Sequence, residues 1–228
     1  RGMDGLIVIG GDGSLRGAER LHTLGLPTIG IPATIDNDIA YTDCTIGFDT
    51  AVNTVVEAID RIRDTATSHE RTFVIEVMGR RAGHLALYTG IASGAETILV
   101  PEIPFELDAI CEKIKQGYVR GKLHSIIIVA EGAGNSIEIG KTIQEKTGLE
   151  TRAIILGHLQ RGGNPSAYDR ILASSMGGKA VDLITQNVKD KMVGVVNGEF
   201  VATDIEKVLS VSKPLNMQLY ELADILSL

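Results

Sequence analysis

The chain contains 228 residues, of which 44% are hydrophobic and 22% are charged, and its formal net charge is −7. A chain of this length can bury one large core or two smaller ones. The negative charge argues against nucleic acid as the main partner, and the apolar runs are far too short to span a bilayer, so no membrane insertion is expected. No secretory signal is visible, and the two cysteines provide no disulfide framework, so a reducing cytoplasm is the expected location.

Short apolar runs alternate with amphipathic stretches along the chain, and turns rich in glycine separate them. The predicted strands are Leu6–Ile9, Thr28–Ile31, Thr72–Val77, Thr97–Val100, Ser125–Ala130, Ala153–Leu156, Met192–Val196 and Glu199–Ala202. The predicted helices are Ser14–Leu24, Phe48–Asp64, Gly83–Ala92, Leu107–Tyr118, Ile137–Lys146, Ala167–Thr185, Asp204–Leu209 and Met217–Leu226. Strands that alternate with helices in this way predict an α/β protein with mostly parallel sheets.

The first predicted strand, Leu6–Ile9, is apolar on both faces. Such a strand is typical of the middle of a parallel sheet, where helices cover both sides. Because a chain rarely begins at such a strand, residues upstream of Arg1 are expected to be missing.

The stretch Gly10–Ser14 joins the first strand to a helix. Glycines let a backbone pass close to a bulky anion, and a helix N-terminus offers unused N–H groups and partial positive charge. Asp12 within this turn indicates a phosphate that carries a metal ion. Arg16 stands where a dinucleotide fingerprint needs its third glycine, and the P-loop sequence is absent. The alternative, a glycine turn with Ser14 as the helix N-cap, does not explain Asp12.

The stretch Pro32–Asp38, which we call the acid loop, follows the strand Thr28–Ile31. In open α/β sheets, ligands bind at the carboxyl edge of the strands. Asp36 and Asp38 lie outside any amphipathic pattern, so a solvated helix face does not explain them. The alternative is a turn in which Asp and Asn side chains bond to their own backbone.

Three further strand ends carry polar groups. The stretch Met78–Gly83, which we call the arginine turn, contains two arginines, and Leu156–Gly163 contains one histidine and one arginine. Arginine presents a planar set of donors to phosphate or to developing negative charge. The alternative is that the arginines of the turn are ordinary surface residues, although the helix dipole disfavours cations at a helix start. Glu131, after Ser125–Ala130, is placed to accept hydrogen bonds from sugar hydroxyls.

These motifs occur in the order and spacing of bacterial ATP-dependent 6-phosphofructokinases, a family that the chain resembles over its whole length. The segments that carry the resemblance are Gly10–Ser14, Pro32–Asp38, Thr45–Ala51, Met78–Gly83 with Leu85 and Ala86, Glu131 with Gly132, Gly157–Gly163 and Ala167–Arg170. The resemblance implies two similar three-layer α/β domains with the active site in the cleft between them. The family's N-terminal part has no counterpart in this chain. The implied domains are a nucleotide-binding domain at 1–47 plus 160–210 and a sugar-phosphate-binding domain at 48–159 plus 211–228.

The activity that the resemblance implies is transfer of the ATP γ-phosphoryl group to the 1-hydroxyl of fructose 6-phosphate, a step of glycolysis that uses Mg²⁺. The implied catalytic residues are Asp36 as the base, Thr34 near the transferred phosphoryl and Arg80 stabilising its charge. ATP would be bound by Gly11, Asp12, Gly13 and Ser14, with Asp12 also holding Mg²⁺. The positions that match the family's sugar-phosphate contacts are Thr34, Ile35, Asp36, Met78, Gly79, Arg80, Glu131, His158, Leu159, Gln160 and Arg161.

The resemblance also implies an assembly and an effector. Arg71 and Arg152 match arginines that reach a neighbouring subunit's substrate, so full activity would require a homotetramer. The positions that match an ADP-like effector site are Arg63, Gly94, Ala95, Glu96, Arg120, Lys122, Leu123 and His124. The alternative for this set is that its members are ordinary surface residues.

The phosphoryl donor can be argued from two small residues. Pyrophosphate-dependent relatives carry Asp where this chain has Gly13 and Lys where it has Ala33, so the chain favours ATP. Bacterial relatives usually have glycine at the position of Ala33, and a methyl group there would change the backbone if the position required a positive φ. Two alternatives remain at this point: a pyrophosphate-dependent phosphofructokinase, and an inactive truncated chain that only binds sugar phosphate.

Overall fold

The computed structural model describes residues 2–66, 71–122 and 124–226. It divides into two compact units: unit 1 comprises Arg1–Thr50 and Asn164–Pro214, and unit 2 comprises Ala51–Gly163 and Leu215–Leu228. These divisions fall three to four residues after the predicted domain boundaries.

The elements follow the predicted order. The strands are β1 (Leu6–Gly10), β2 (Thr28–Pro32), β3 (Thr72–Val77), β4 (Thr97–Leu99), β5 (Ser125–Ala130), β6 (Thr151–Ile155), β7 (Lys191–Val196) and β8 (Glu199–Asp204). The α-helices are α1 (Asp12–Thr23), α2 (Phe48–Ala66), α3 (His84–Ala92), α4 (Leu107–Val119), α5 (Ser136–Thr147), α6 (Ala167–Thr185), α7 (Ile205–Leu209) and α8 (Met217–Leu226). Within the described ranges, no helix is both long enough and apolar enough to span a bilayer.

Unit 1 contains a four-stranded sheet in the order β1-β2-β7-β8. β1, β2 and β7 are parallel, while β8 returns antiparallel from β7. The return passes through Asn197 and Gly198, whose φ angles of 52° and 82° fit a type I′ turn. Helix α6 packs its Leu172 and Met176 on one face of the sheet, and α1 and α7 pack on the other, so the unit has three layers.

Unit 2 contains a sheet in the order β4-β5-β3-β6, in which every pair is parallel. The residues of β3 alternate between two apolar clusters, since Phe73 and Ile75 pack with α2, α3 and α8 while Val74 packs with α4 and α5. Each such fully buried side chain contributes roughly 1.5–3 kcal/mol. The α/β class with mostly parallel sheets, predicted from the sequence, is confirmed.

Two local predictions were wrong in instructive ways. β6 begins at Thr151 rather than Ala153, because it is an edge strand whose first residues are polar and carry no apolar signal. The stretch Gly157–Arg161, predicted as a loop, forms a single 3₁₀ helix. Neither short element has the periodicity on which sequence prediction depends.

Candidate active site

The carboxyl ends of β1 and β2 bring together two segments of unit 1. They are the stretch Gly10–Ser14, which we call the glycine turn, and the acid loop. The two strands are parallel neighbours in a register that pairs Gly10 with Pro32. The backbone N–H of Ala33 donates to the Gly10 carbonyl at 3.0 Å, which continues the ladder one step beyond the strands. A β-carbon at Gly11 would lie 3.5 Å from Cβ of Thr34, so the two predicted segments are in contact distance.

Helix α1 begins at Asp12, two residues earlier than predicted, and its N-cap is Gly11. The expectation that Ser14 caps the helix is therefore wrong: the N–H groups of Ser14 and Leu15 both donate to the Gly11 carbonyl at 3.0 Å. Asp12 consequently lies in the first helical turn, where the helix dipole favours a carboxylate. Its carboxylate is 3.1 Å from the guanidinium of Arg16, one turn later.

The donor set fits a magnesium ion carried by phosphate rather than a metal held by the protein alone. Among the residues that the structure describes, no three His, Cys, Asp or Glu side chains gather where they could bind a metal. Mg²⁺ normally keeps several waters and binds through one or two carboxylates together with substrate phosphates. Asp12, partly exposed at the start of α1, supplies one such carboxylate.

The acid loop buries its carboxylate and fixes the backbone around it. Asp36 is only 7% exposed, and its backbone N–H donates to Thr34 Oγ1 at 3.2 Å. The Thr34 carbonyl accepts a 2.6 Å hydrogen bond from the hydroxyl of Thr45. Asn37 has a φ of 50°, a left-handed conformation that asparagine tolerates better than most residues. The structure therefore places Asp36 in a rigid turn and not on a solvated surface.

Ala33 fits this loop without strain. It pairs with Ile46 in an isolated parallel bridge, and the Ile46 N–H donates to the Pro32 carbonyl at 3.0 Å. Ala33 does not take a positive φ. The methyl group at this position therefore imposes no unusual backbone angle.

Asp169, to which sequence reasoning gave no role, supports the segment that follows the acid loop. Its carboxylate is 2% exposed and accepts hydrogen bonds from the N–H groups of Gly47 and Thr50, at 2.9 and 2.8 Å, and from the Thr50 hydroxyl. Ser166 caps α6 by accepting from the Asp169 N–H at 3.2 Å. The segments Thr45–Ala51 and Ala167–Arg170, which carried part of the family resemblance, are thus joined by one buried acid.

In unit 2, the ends of β3 and β5 meet at the arginine turn. Arg80 has a φ of 54°, which is costly for a residue with a long side chain, by about 1–2 kcal/mol. Its backbone N–H donates to Oε1 of Glu131 at 2.6 Å. A β-carbon at Gly132 would lie 2.3 Å from the Arg80 carbonyl oxygen, so only glycine fits there. Glu131 and Gly132 therefore hold the arginine turn in its left-handed form, while the Arg80 side chain is exposed.

Gln160 joins the end of β3 to the 3₁₀ helix. Its side chain is 1% exposed, its Oε1 accepts from the Met78 N–H at 3.0 Å, and its Nε2 donates to the Gly157 carbonyl at 3.0 Å. Gln160 thus supports the loop through its backbone contacts. The neighbouring His158, Leu159 and Arg161 are exposed at the same edge of the sheet.

Arg71 and Arg152 lie at the opposite edge of this sheet from the arginine turn. Arg71 immediately precedes β3 and Arg152 is the second residue of β6, so about 20 Å of strand separates them from Met78. Glu150 pairs with both, at 2.9 Å from Arg71 and 2.6 Å from Arg152. Hydrogen bonds from Arg71 and then Arg152 lower the pKa of the Glu150 carboxyl.

The predicted effector residues gather at the amino edge of the same sheet. Glu96 is 3.1 Å from Lys122, and its carboxylate also accepts from the Ile126 N–H. Arg120 lines a shallow cleft with these two side chains, and Arg63 donates to the Ser93 carbonyl beside Gly94. His124 precedes β5, Ala95 is buried, and Leu123 lies outside the described residues.

A glycine turn at a helix N-terminus with a buried carboxylate beside it is the arrangement of an α/β phosphotransferase. Comparison with known proteins identifies which kind. The family model described as phosphofructokinase matches residues 1–184. The ATP-dependent 6-phosphofructokinase of Halothermothrix orenii is 60% identical over 240 aligned residues, which cover 100% of this chain and 72% of that protein.

Solved structures agree with the sequence comparison. Phosphofructokinase from Saccharomyces cerevisiae matches with a TM-score of 0.84 and 34% identity, over 98% of this chain and 33% of the yeast chain. A pyrophosphate-dependent phosphofructokinase from Marinobacter aquaeolei matches with a TM-score of 0.82 and 25% identity, over 95% of this chain and 62% of that one. The chain belongs to the phosphofructokinase family, kinases that act on a sugar hydroxyl, and the family predicted from the motifs is confirmed.

Proposed function

We propose that the protein is an ATP-dependent 6-phosphofructokinase, which transfers the γ-phosphoryl group of ATP to the 1-hydroxyl of fructose 6-phosphate and releases fructose 1,6-bisphosphate and ADP. The observation that carries this proposal is the buried Asp36 in the acid loop, in a segment that contacts the glycine turn through Thr34 and Gly11. A base fixed close to a phosphate-binding turn is what proton abstraction from an attacking hydroxyl requires.

In unit 1, Asp36 accepts the proton of the 1-hydroxyl as its oxygen attacks the γ-phosphorus. Gly11, Gly13 and Ser14 bind the ATP phosphates, and Asp12 would hold Mg²⁺. The bound ion would neutralise charge that develops on the transferred group. Thr34 and Ile35 contact the reacting groups; the hydrogen bond from the Asp36 backbone N–H to Thr34 Oγ1 orients the threonine hydroxyl within the acid loop.

In unit 2, Arg80 stabilises the negative charge of the transferred phosphoryl group. Its exposed guanidinium and its clamped backbone support this role, because the side chain can follow the charge while its origin stays fixed. Met78 and Gly79 shape the sugar pocket, and His158, Leu159 and Arg161 bind the sugar phosphate. The buried Gln160 holds the 3₁₀ helix that carries these three residues. Glu131 bonds a sugar hydroxyl in addition to the Arg80 N–H.

The proposal includes the assembly and its regulation. Arg71 and Arg152 lie about 20 Å of strand away from the arginine turn in their own chain, which supports their acting on the 6-phosphate held by a neighbouring subunit of a homotetramer. The cleft near Arg120 and Lys122 supports binding of an ADP-like effector. Its cations match the phosphates of such a ligand.

ATP is favoured over pyrophosphate by space at one position. A β-carbon at Gly13 would meet no atom of the described residues within 4 Å, so the turn is open at this position. The residues that would mark a pyrophosphate enzyme, an acid at Gly13 and a lysine at Ala33, are absent. The pyrophosphate-dependent enzyme from Marinobacter aquaeolei is 25% identical to this chain, whereas the ATP-dependent enzyme from Halothermothrix orenii is 60% identical.

One coupled assay tests the proposal. Formation of fructose 1,6-bisphosphate is measured with ATP and then with pyrophosphate, for the wild type, Asp36→Asn and the exposed control Asp60→Asn on α2. We expect turnover with ATP alone, and a kcat for Asp36→Asn that is lower by roughly 10²–10⁴-fold, because the amide cannot accept the proton. Asp60→Asn should match the wild type. Faster turnover with pyrophosphate, or near wild-type turnover of Asp36→Asn, contradicts the donor or the base, respectively.

A further inference from the structure

Lys213, which lies outside every segment that carried the family resemblance, contacts the acid loop at Asn37. Lys213 lies between α7 and α8 and belongs to unit 1. Its Nζ donates to Oδ1 of Asn37 at 2.8 Å and to the backbone carbonyl of Asp43 at 2.9 Å. The lysine is half-buried, and Asn37, next to the proposed base, is 2% exposed.

The Asn37 side chain has a defined set of partners. Its Oδ1 accepts from the Thr45 N–H at 3.1 Å and from Lys213, which uses both lone pairs of the oxygen. The Thr45 hydroxyl is 3.4 Å from the same oxygen, but its single hydrogen is committed to the Thr34 carbonyl at 2.6 Å. Asn37 Nδ2 donates to the Asp43 carbonyl at 3.3 Å, so the two side chains and that carbonyl form a closed set.

These hydrogen bonds hold the backbone of the acid loop in its conformation. The left-handed φ of 50° at Asn37 is a conformation that the backbone keeps only where its surroundings hold it. The bonds to Asn37 fix that residue, and the bond from the Thr45 hydroxyl fixes Thr34 two residues before Asp36. Asp36 is thus held from both sides, and Lys213 supplies the one cationic donor in the hydrogen bonds described for this set.

We propose that Lys213 is a positioning residue for phosphoryl transfer: through Asn37 it holds the acid loop in the conformation that aims Asp36 at the attacking hydroxyl. A bond from an ammonium group is roughly twice as strong as one between neutral groups, so no neutral side chain at this position replaces it fully. This role rests on the proposed function, because it acts on the proposed base.

Burial of Lys213 supports the inference. Desolvation is the largest effect on its pKa, which falls from 10.5 to about 8, while Cys44, Asp43 and Asp38 act in the opposite direction. A lysine with no role at the loop would keep its ammonium group in water by extending past the surface. Here the ammonium group faces Asp38, Asp43 and the Cys44 thiol, and it remains within bonding distance of a neutral amide.

The kinetic test compares five variants of the enzyme with the wild type. We expect Lys213→Met to lower kcat by roughly tenfold to a hundredfold with KM for both substrates within about twofold, because misaligned catalytic groups affect the transition state more than substrate binding. Lys213→Arg, which keeps a cation, should recover most of the loss. Lys191→Met removes a cation that pairs with Asp204 in the same unit and should leave kcat unchanged. In Asp36→Asn, addition of Lys213→Met should cause little further loss.

A second measurement tests the positioning role without an activity assay. Hydrogen–deuterium exchange of peptides covering residues 33–47 should be faster in Lys213→Met than in the wild type or Lys191→Met. If exchange is faster in Lys213→Met but the wild type lacks phosphofructokinase activity, Lys213 holds the loop and the proposed function is wrong. Unchanged exchange, or a loss in kcat that persists in full in the Asp36→Asn background, would overturn the positioning role.

Discussion

The candidate site residues of the two units differ in their burial and in their hydrogen bonding. In unit 1 the acid is buried, and each residue around it is bonded: Asp36 to Thr34, Asn37 to Lys213 and Thr45. In unit 2 the cations proposed to act in the site are exposed, and the described bond to Glu131 holds the backbone of the arginine turn. The described bonds of unit 1 thus hold the Asn37 side chain as well as the Asp36 backbone, whereas the bond at Arg80 holds its backbone.

The difference suits the roles proposed for Asp36 and Arg80. A general base must sit within hydrogen-bond distance of one proton, and a shift of about 1 Å can cost about a hundredfold in rate. An arginine that neutralises charge on a moving phosphoryl group acts over a wider range, because electrostatic attraction falls off slowly. The comparison predicts that substitutions around Asp36 reduce stability and activity together, whereas substitutions around Arg80 reduce activity alone.

The largest loss of stability should follow the substitution Asp169→Ala in unit 1. The substitution leaves the N–H groups of Gly47 and Thr50 without their buried acceptor, at a cost of about 1–3 kcal/mol for each group. We expect the free energy of unfolding to fall by about 3 kcal/mol and kcat to fall with it. Urea denaturation and the coupled assay measure the two. Asp169→Asn keeps one acceptor and should lie between; a stable, fully active alanine variant would contradict the comparison.

A smaller effect, confined to activity, should follow Glu131→Gln in unit 2. The neutral amide weakens the hydrogen bond that holds Arg80 in its left-handed conformation. We expect kcat to fall about tenfold, which corresponds to about 1.4 kcal/mol, with a melting temperature close to that of the wild type. Glu138→Gln, an exposed glutamate at the start of α5, is the control and should behave as the wild type. A large drop in melting temperature for Glu131→Gln would show that both units are held in the same way.

The same contrast explains what the sequence could and could not predict. The strand β5 has the predicted bounds because it is an uninterrupted apolar run, and the long helix α6 also has the predicted bounds. The loops that carry Asp36 and Arg80 were located because parallel strands present their carboxyl ends together. The contacts of Lys213 and Asp169 were not predictable, since they join residues more than a hundred positions apart.

The helix start at Asp12 shows a different limit. A serine four residues after the strand was the better N-cap by residue type, but the chain uses Gly11, whose backbone carbonyl accepts the first bonds of the helix. A side chain at Gly10 would collide with Ser14, which lies 2.3 Å from the position of its β-carbon. Close packing of the turn, and not capping preference, decides where the helix begins.

The smallest expected effect is a dependence of unit 1 stability on pH. Burial lowers the pKa of Lys213 from 10.5 to about 8, so its contribution to stability is fully present above pH 10.5 and is lost as the pH falls through about 8. Burial, with the charge of Asp169 next, raises the pKa of Cys44 from 9.0 to about 11, so its contribution is fully present below pH 9 and is lost as the pH rises through 11. Of these two groups, only Lys213 changes the free energy of unfolding between pH 8 and 9. Above pH 9, the effects of Lys213 and Cys44 oppose each other.

Between pH 8 and 9 the free energy of unfolding of the wild type should therefore rise by about 1 kcal/mol relative to Lys213→Met, in which that position does not titrate. Urea denaturation of both proteins at the two pH values measures the difference, and above pH 9 the gain should level off unless Cys44 is replaced by alanine. A matched change on the unit 2 side, Glu131→Gln, should leave the pH dependence as it is in the wild type. A fall in relative stability between pH 8 and 9 would mean that the hydrogen bonds of the ammonium group stabilise the folded protein by more than its burial costs.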